Sequence, residues 1–294
     1  MTSRRLFRTV SEAANILLLV SILLVLCAAE WEYSTRTYLK GFSDAIVPAV
    51  ANPIEKVETI LGWMRNGPAR PFTSAPAGVN LRDPANTLNY QALLHVCGTA
   101  TNAFVNLANS AGLPARRLLL LGPDRLARHV VAEVYTDGRW IVVDAAFRVI
   151  LRDRAGGPLT RDQLRDPAVF VEATAGIPGY NPSYNYQRTA HVRLSKIPLA
   201  GPAVRLVLER VWRGWSDSIF WTMLLERESF AALVAASILF FSAIVLRQGL
   251  RFYGRRQLGE QPYRIRDQLT RLKWITRDEP RLREGDAGRM GPVT

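Results

Sequence analysis

The sequence predicts an α+β domain held between two membrane-spanning helices. Two apolar runs of spanning length, residues 13–29 and 229–246, stand near the ends of a 294-residue chain, each beside a cluster of arginines. Between them, helical periodicity around residues 53–66 and 93–111 gives way to strand-like stretches from residue 117 onward. A two-residue hairpin signal, Asp137-Gly138, lies among those strands. Helices followed by an antiparallel hairpin make an α+β arrangement.

The composition is 48% hydrophobic and 21% charged, which suits a globular domain with membrane segments attached. The formal charge is +13 and the pI about 10.4, carried mostly by arginine. Such a balance raises nucleic acid or anionic lipid as a partner. Many of the arginines lie just outside the two apolar runs, where positive charge sets orientation. There is no zinc-finger spacing, RNP-like aromatic motif or groove-entering basic helix, so no nucleic-acid partner is expected. Binding of anionic lipid by the inner arginines is expected as an accessory property at most.

Residues 1–12 carry Arg4, Arg5 and Arg8 and read as a cytoplasmic tail. The run at 13–29 reads as an uncleaved anchor, with a signal peptide as the alternative because Cys27-Ala28-Ala29 loosely resembles a cleavage site. Glu30 and Glu32 follow, which puts the N-terminus inside and the next segment outside. Residues 31–51 hold one more candidate helix, with Trp31, Tyr33 and Tyr38 suited to a membrane interface.

The external domain is expected over residues 50–200. Asn52 caps a helix that has Pro53 at its first position, and Ile54, Val57, Ile60, Leu61 and Met64 share one face. Residues 67–87 are rich in Pro, Gly and Ala and read as a long loop able to shape a cleft. A helical pattern follows through Leu93, Cys97, Ala100, Phe104, Leu107 and Ala111, stopped by Gly112-Leu113-Pro114. Arg117–Leu121 reads as a buried strand and 129–144 as a hairpin; weaker strand signals occur at 147–151, 168–172 and 189–194. The stretch 174–187 is loop-like, and its Tyr180, Tyr184 and Tyr186 pack on the core or line a cleft. Residues 203–228 suggest an amphipathic juxtamembrane helix with Trp212, Trp215 and Trp221. The second span, 229–246, is followed by Arg247, Arg251, Arg255 and Arg256, so residues 247–294 form a basic cytoplasmic tail, poorly ordered past about 280.

The central stretch groups reactive residue types. Of the two cysteines, Cys27 lies in the first apolar run, leaving Cys97 as the lone thiol of the external domain. A thiol attacks a carbonyl as thiolate, and needs a base that a third group orients. With Asp137 and Gly138 as the turn, paired residue numbers add to 275, so Asp144 lies opposite Val131. Side chains alternate, which places His129 on the same face as a diagonal neighbour of Asp144, about 7–8 Å away. Cys97 either opens its helix, where the positive helix end would favour a thiolate, or lies within a helix that begins near Leu88. His95 and His191 read as structural, the latter as a sheet-surface histidine, and three scattered histidines make a metal site unexpected.

Cys-Gly followed by an alanine-rich helix, then A-G-L-P-A-R, R-H-V-V-A-E-V-Y and D-G-R-W-I-V-V-D, resembles the transglutaminase-like superfamily over about residues 50–150. That family is papain-like in fold, with a cysteine helix packed on an antiparallel sheet. The resemblance implies Cys97 as nucleophile, His129 as base and Asp144 as its orienter. It departs from the common pattern at Val131, where many members have an aromatic, and at His95-Val96, where a glycine pair is common. Many papain-like enzymes place a glutamine six residues before the cysteine, which puts Gln91 forward as an oxyanion donor with the Cys97 N–H.

The expected function is therefore membrane-anchored acyl transfer on peptide or protein amides without a cofactor, with hydrolysis favoured over cross-linking. The alternative is a non-catalytic adaptor of the same fold in an envelope or polysaccharide assembly system. The arrangement suits a two-pass bacterial inner-membrane protein with both termini cytoplasmic and the domain periplasmic. The Asn-x-Ser/Thr match at Asn181-Pro182-Ser183 is blocked by proline, which agrees with that setting.

Overall fold

The computed structural model describes residues 2–67, 78, 80, 81, 83–192, 201–212, 214, 215, 221–259 and 265. It is a mixed helix and antiparallel-sheet structure with a long apolar helix toward each end. The chain divides into two compact units, Met1–Leu26 with Ala236–Thr294, and Cys27–Ala235.

Helix α1 runs Thr2–Ile46. The separate helix expected over 31–51 is the continuation of α1, because no proline interrupts the chain before Pro48. Two i,i+4 pairs support its later turns, the exposed Lys40–Asp44 and Arg36 with the buried Glu32. Near the other end, a helix spans Glu228–Tyr253 and passes into a π-helical turn, Gly254–Leu258. Both helices are long and apolar enough to cross a membrane. Within the first unit, Arg247 Nε donates to Asn15 Oδ1 at 2.9 Å and the Phe7 and Tyr253 rings lie 6.4 Å apart.

In the second unit, α2 spans Pro53–Asn66. The Asn52 side chain accepts from the Glu55 N–H at 3.0 Å and the Glu55 carboxylate from the Asn52 N–H at 2.9 Å, a complete capping box. Val57, Ile60, Leu61 and Met64 are buried, as their spacing requires. Residues 68–77, 79 and 82 of the expected loop lie outside the described residues, and its end folds as α3, Pro84–Asn89, capped by Asp83. A 3₁₀ turn, Gln91–His95, leads into α4, Cys97–Ser110. Helix α4 ends in a Schellman motif, with the Leu113 N–H on Ala108 O and the Gly112 N–H on Asn109 O. Gly112 has φ +79°, a conformation that favours glycine.

The sheet has the order β4-β3-β2-β1-β5 and every pairing is antiparallel. Its strands are β1 (Ala115–Leu121), β2 (Ala127–Thr136), β3 (Arg139–Asp144), β4 (Val149–Ile150) and β5 (Thr189–Ala190). Asp137 and Gly138 take φ +50° and +78°, as a tight primed turn needs, and the pairs Ala132–Val143 to Thr136–Arg139 keep the expected register. One face packs Ala132, Val134, Ile141 and Val143 with α2, α4 and the end of α1, where the Phe42 and Trp63 rings meet edge-on at 4.9 Å. The other packs Leu118, Leu120, Val131 and Val142 with Phe170 and Tyr186.

Three expectations change. Residues 168–172 are helical, within α5, Pro167–Thr174, because Asp166 caps the chain and Pro167 suits a first helical turn. His191 is buried rather than on the sheet surface, 2.8 Å from Glu133 Oε2. The helix expected over 203–228 is interrupted: α6 covers Gly201–Val211, α7 covers Trp221–Glu226, and α8 is the Glu228–Tyr253 helix. Gly214 between them has φ +78°, and the Trp215 and Trp221 rings pack on each other. Arg227 is drawn into a buried polar network instead of continuing a helix. It donates to Glu32 Oε1 at 3.0 Å and to Asn106 Oδ1 at 3.1 Å, while Ser229 Oγ donates to Glu32 Oε2 at 2.7 Å. Glu32 thereby ties α1 to α4 and to the start of α8.

Candidate active site

Cys97 is the first residue of α4, so of the two placements left open by the sequence it opens its helix. Val96 stands at the cap position and has no side-chain oxygen to offer the first-turn N–H groups. Thr99 instead donates backward, to Leu93 O and, at 3.2 Å, to Val96 O, which fastens the 3₁₀ turn over the helix start. The backbone N–H groups of Gly98 and Val130 favour the Cys97 thiolate electrostatically. Thr101 Oγ1 donates to Val130 O at 3.1 Å and holds the first turn of α4 to the start of β2.

His129 and Asp144 meet as the hairpin register requires. His129 Nε2 lies 2.7 Å from Asp144 Oδ2, and both side chains are buried. The other Asp144 oxygen accepts from the N–H groups of Ala146 (3.1 Å) and Phe147 (3.2 Å), so the turn after β3 fixes the carboxylate. With Nε2 committed to Asp144, Nδ1 is the ring nitrogen left for the hydrogen bond to Cys97. The Tyr184 ring stacks on the imidazole at 4.2 Å between centroids and an interplanar angle of 4°. Phe147 and Tyr180 meet it edge-on at 5.9 and 6.1 Å.

The charges follow from these contacts. The hydrogen bond from His129 lowers the Cys97 pKa more than burial raises it, with further help from the imidazolium charge and the two backbone N–H groups. Burial pulls His129 down, but the bonds to Asp144 and then Cys97 outweigh it and raise its pKa to about 9. Both shifts favour the thiolate–imidazolium form of the pair over the neutral one. Burial, then Tyr186 and Asp144, push the Tyr180 phenol far above its ordinary value, so it stays protonated.

The thiol opens into a cleft of about 620 Å³ lined by Cys97, His129, Tyr184, Ile177, Pro178 and Phe147, with Arg65, His95 and Arg148 also on its wall. Gln91 is exposed at the first residue of the 3₁₀ turn and is not among the residues lining the cleft. His95 does line it, 3.3 Å from Arg148 Nη2. His95, read from the sequence as structural, ends the 3₁₀ turn before the helix and so comes to the cleft wall near Cys97. The tyrosines divide: Tyr186 is a core residue and Tyr184 a cleft residue. Arg65 and Arg148 carried no sequence signal beyond their charge. Among the described residues, no group of three or more His, Cys, Asp and Glu side chains converges as a metal site.

Residues 40–145 fit the family model of the transglutaminase-like superfamily. No curated protein and no solved structure matches the chain. The matched stretch begins in the last turns of α1 and ends just past Asp144, so it takes in the whole cysteine helix and the hairpin. On that match, the chain carries a domain of the transglutaminase-like superfamily.

Proposed function

We propose that this domain is a cysteine acyltransferase acting on amide bonds, with Cys97 as nucleophile, His129 as acid and base, and Asp144 holding the imidazole. The observation that carries the reading is the buried 2.7 Å His129–Asp144 contact beside a thiol of lowered pKa at a helix start. The Cys97 thiolate attacks the amide carbonyl and forms a C–S bond. The oxyanion sits beside first-turn N–H groups of α4, the Cys97 N–H among them, which have no intrahelical carbonyl partner. Gln91 is left out of this step, since it lies outside the cleft lining.

Collapse of the intermediate breaks the C–N bond, and the amine leaves with the proton of the His129 imidazolium. Water, deprotonated by His129, then attacks the thioester, breaks the C–S bond and releases a carboxylic acid. An amine in place of that water would give cross-linking. Hydrolysis is favoured because Cys97 is only half-buried and the cleft is open to solvent. We place α1 and α8 across a bacterial inner membrane, with the arginine-flanked termini cytoplasmic and the domain outside.

The test uses full-length protein in detergent with Cys27→Ser, so that Cys97 is its one thiol. Iodoacetamide at neutral pH should alkylate Cys97 about tenfold or more faster than a free thiol, and His129→Ala should remove that advantage. A rate no faster than a free thiol, unchanged by His129→Ala, would overturn the proposal.

A further inference from the structure

The cleft beside Cys97 has a marked charge pattern. Arg65, His95 and Arg148 line it, and among the described residues that line it there is no Asp or Glu. Other arginines of the domain face carboxylates: Arg116 meets Glu133, Arg117 meets Glu226, Arg152 meets Glu58 and Arg227 meets Glu32. Neither Arg65 nor Arg148 has a carboxylate partner among the described residues.

Arg148 is held in place by neutral acceptors. Its Nη1 donates to Ala146 O at 2.8 Å and its Nη2 to Leu94 O at 3.2 Å, beside the His95 ring, while Nε reaches Met64 O at 3.4 Å. These oxygens satisfy N–H groups but bring no negative charge. Its backbone takes φ +58°, sterically costly for a residue with a Cβ, and those contacts hold it there. Arg65 Nη2 donates to the Arg148 carbonyl at 2.9 Å, which brings a second, exposed guanidinium to the same wall. Two like charges in one cleft cost energy unless an anion completes them.

We infer that the cleft takes an acyl donor carrying a carboxylate beside its scissile amide, with Arg65 and Arg148 as the residues that select it. This rests on the reading of Cys97 as nucleophile. Leu94 O, which Arg148 holds, belongs to the residue three before Cys97, so the cationic wall and the nucleophile share one short segment. Planar guanidinium forks match a carboxylate, and the Phe147, Val149, Ile177 and Pro178 wall receives the apolar remainder of the substrate.

Two reagents that differ in one group test this. Iodoacetate and iodoacetamide both alkylate the thiolate, forming an S–C bond as iodide leaves, and only iodoacetate is an anion. The readout is the ratio of the iodoacetate rate to the iodoacetamide rate in full-length Cys27→Ser protein. At low salt, Arg65→Gln should lower that ratio about fivefold and Arg65→Glu further. Arg139→Gln, the same charge change at the far end of β3, should leave it at the parent value. The unsubstituted arginine pair should itself show a falling ratio between about 0.01 M and about 1 M salt. Fast alkylation with equal ratios in parent, Arg65→Gln and Arg65→Glu would overturn the inference and leave the nucleophile standing. Slow alkylation by both reagents would overturn the nucleophile first, and the inference with it.

Discussion

Asp144 Oδ2 stands 2.7 Å from His129 Nε2, on neighbouring strands with both side chains buried, while the turn N–H groups of Ala146 and Phe147 hold the other carboxylate oxygen. Asp144→Asn keeps the shape but loses the charge that favours the imidazolium. Amide turnover should fall about 10²–10⁴-fold. The same variant should slow iodoacetamide alkylation at neutral pH, because a less basic His129 leaves less Cys97 as thiolate. Equal alkylation rates in parent and variant would argue against this coupling.

The pH dependence follows from the directions of the two shifts. Cys97 is lowered, so thiolate forms below the ordinary thiol range and reactivity should rise on the acid side. His129 is raised to about 9, so turnover should fall as pH climbs through that value, when the leaving amine loses its proton donor. The two limbs belong to the coupled pair rather than to either residue alone. Iodoacetamide rates measured against pH should place the acid limb of His129→Gln higher than that of the parent, near an ordinary thiol.

Tyr184 stacks flat on His129, and a stack of this kind contributes about 0.5–1.5 kcal/mol beyond area burial. Tyr184→Phe should keep turnover near the parent value, since the ring remains. Tyr184→Ala should lower it about 2–10-fold by freeing the imidazole. A loss in Tyr184→Phe as large as in Tyr184→Ala would assign the effect to the hydroxyl.

Arg227 and Glu32 form a buried ion pair that joins α1 to the chain entering α8. Arg227→Met leaves Glu32 with the exposed Arg36 as its remaining cationic partner, at a cost of about 3–5 kcal/mol. Thermal unfolding in detergent should show the drop, and adding Glu32→Gln should recover part of it. No change on Arg227→Met would mean the pair contributes nothing net.

The proposed topology predicts where labels appear. A fluorescent protein that matures in the cytoplasm should be bright when fused to either terminus. Protease added to spheroplasts should cut within residues 50–200 and spare both tails. A dark fusion at one end would reverse the orientation of that helix.

Much of the fold was legible because its signals are local. Asn52-Pro53 and Glu55 form a cap within one turn of chain, Gly112 marks a left-handed stop, and Asp137-Gly138 selects a tight turn whose register follows by arithmetic. Misreadings had two sources. The apolar stretch 168–172 reads as a strand by composition, yet the Asp166-Pro167 start just before it makes it a helix, and elsewhere distant contacts decided. His191 reads as a surface residue until Glu133, 58 positions earlier, is placed beside it.

The sequence by itself put His129 and Asp144 on one face as diagonal neighbours, because a two-residue turn and alternating side chains set the register. It also determined the two apolar helices, since spanning length and flanking charge are properties of continuous stretches. Only the tertiary structure decided that Cys97 opens its helix, that Tyr184 stacks on His129, and that Arg65, His95 and Arg148 share one cleft wall while Gln91 stays outside it. Those positions depend on how α2, the turn before α4 and the loop after α5 converge on one end of the sheet. Packing between segments tens of residues apart sets that geometry, and local pattern carries no record of it.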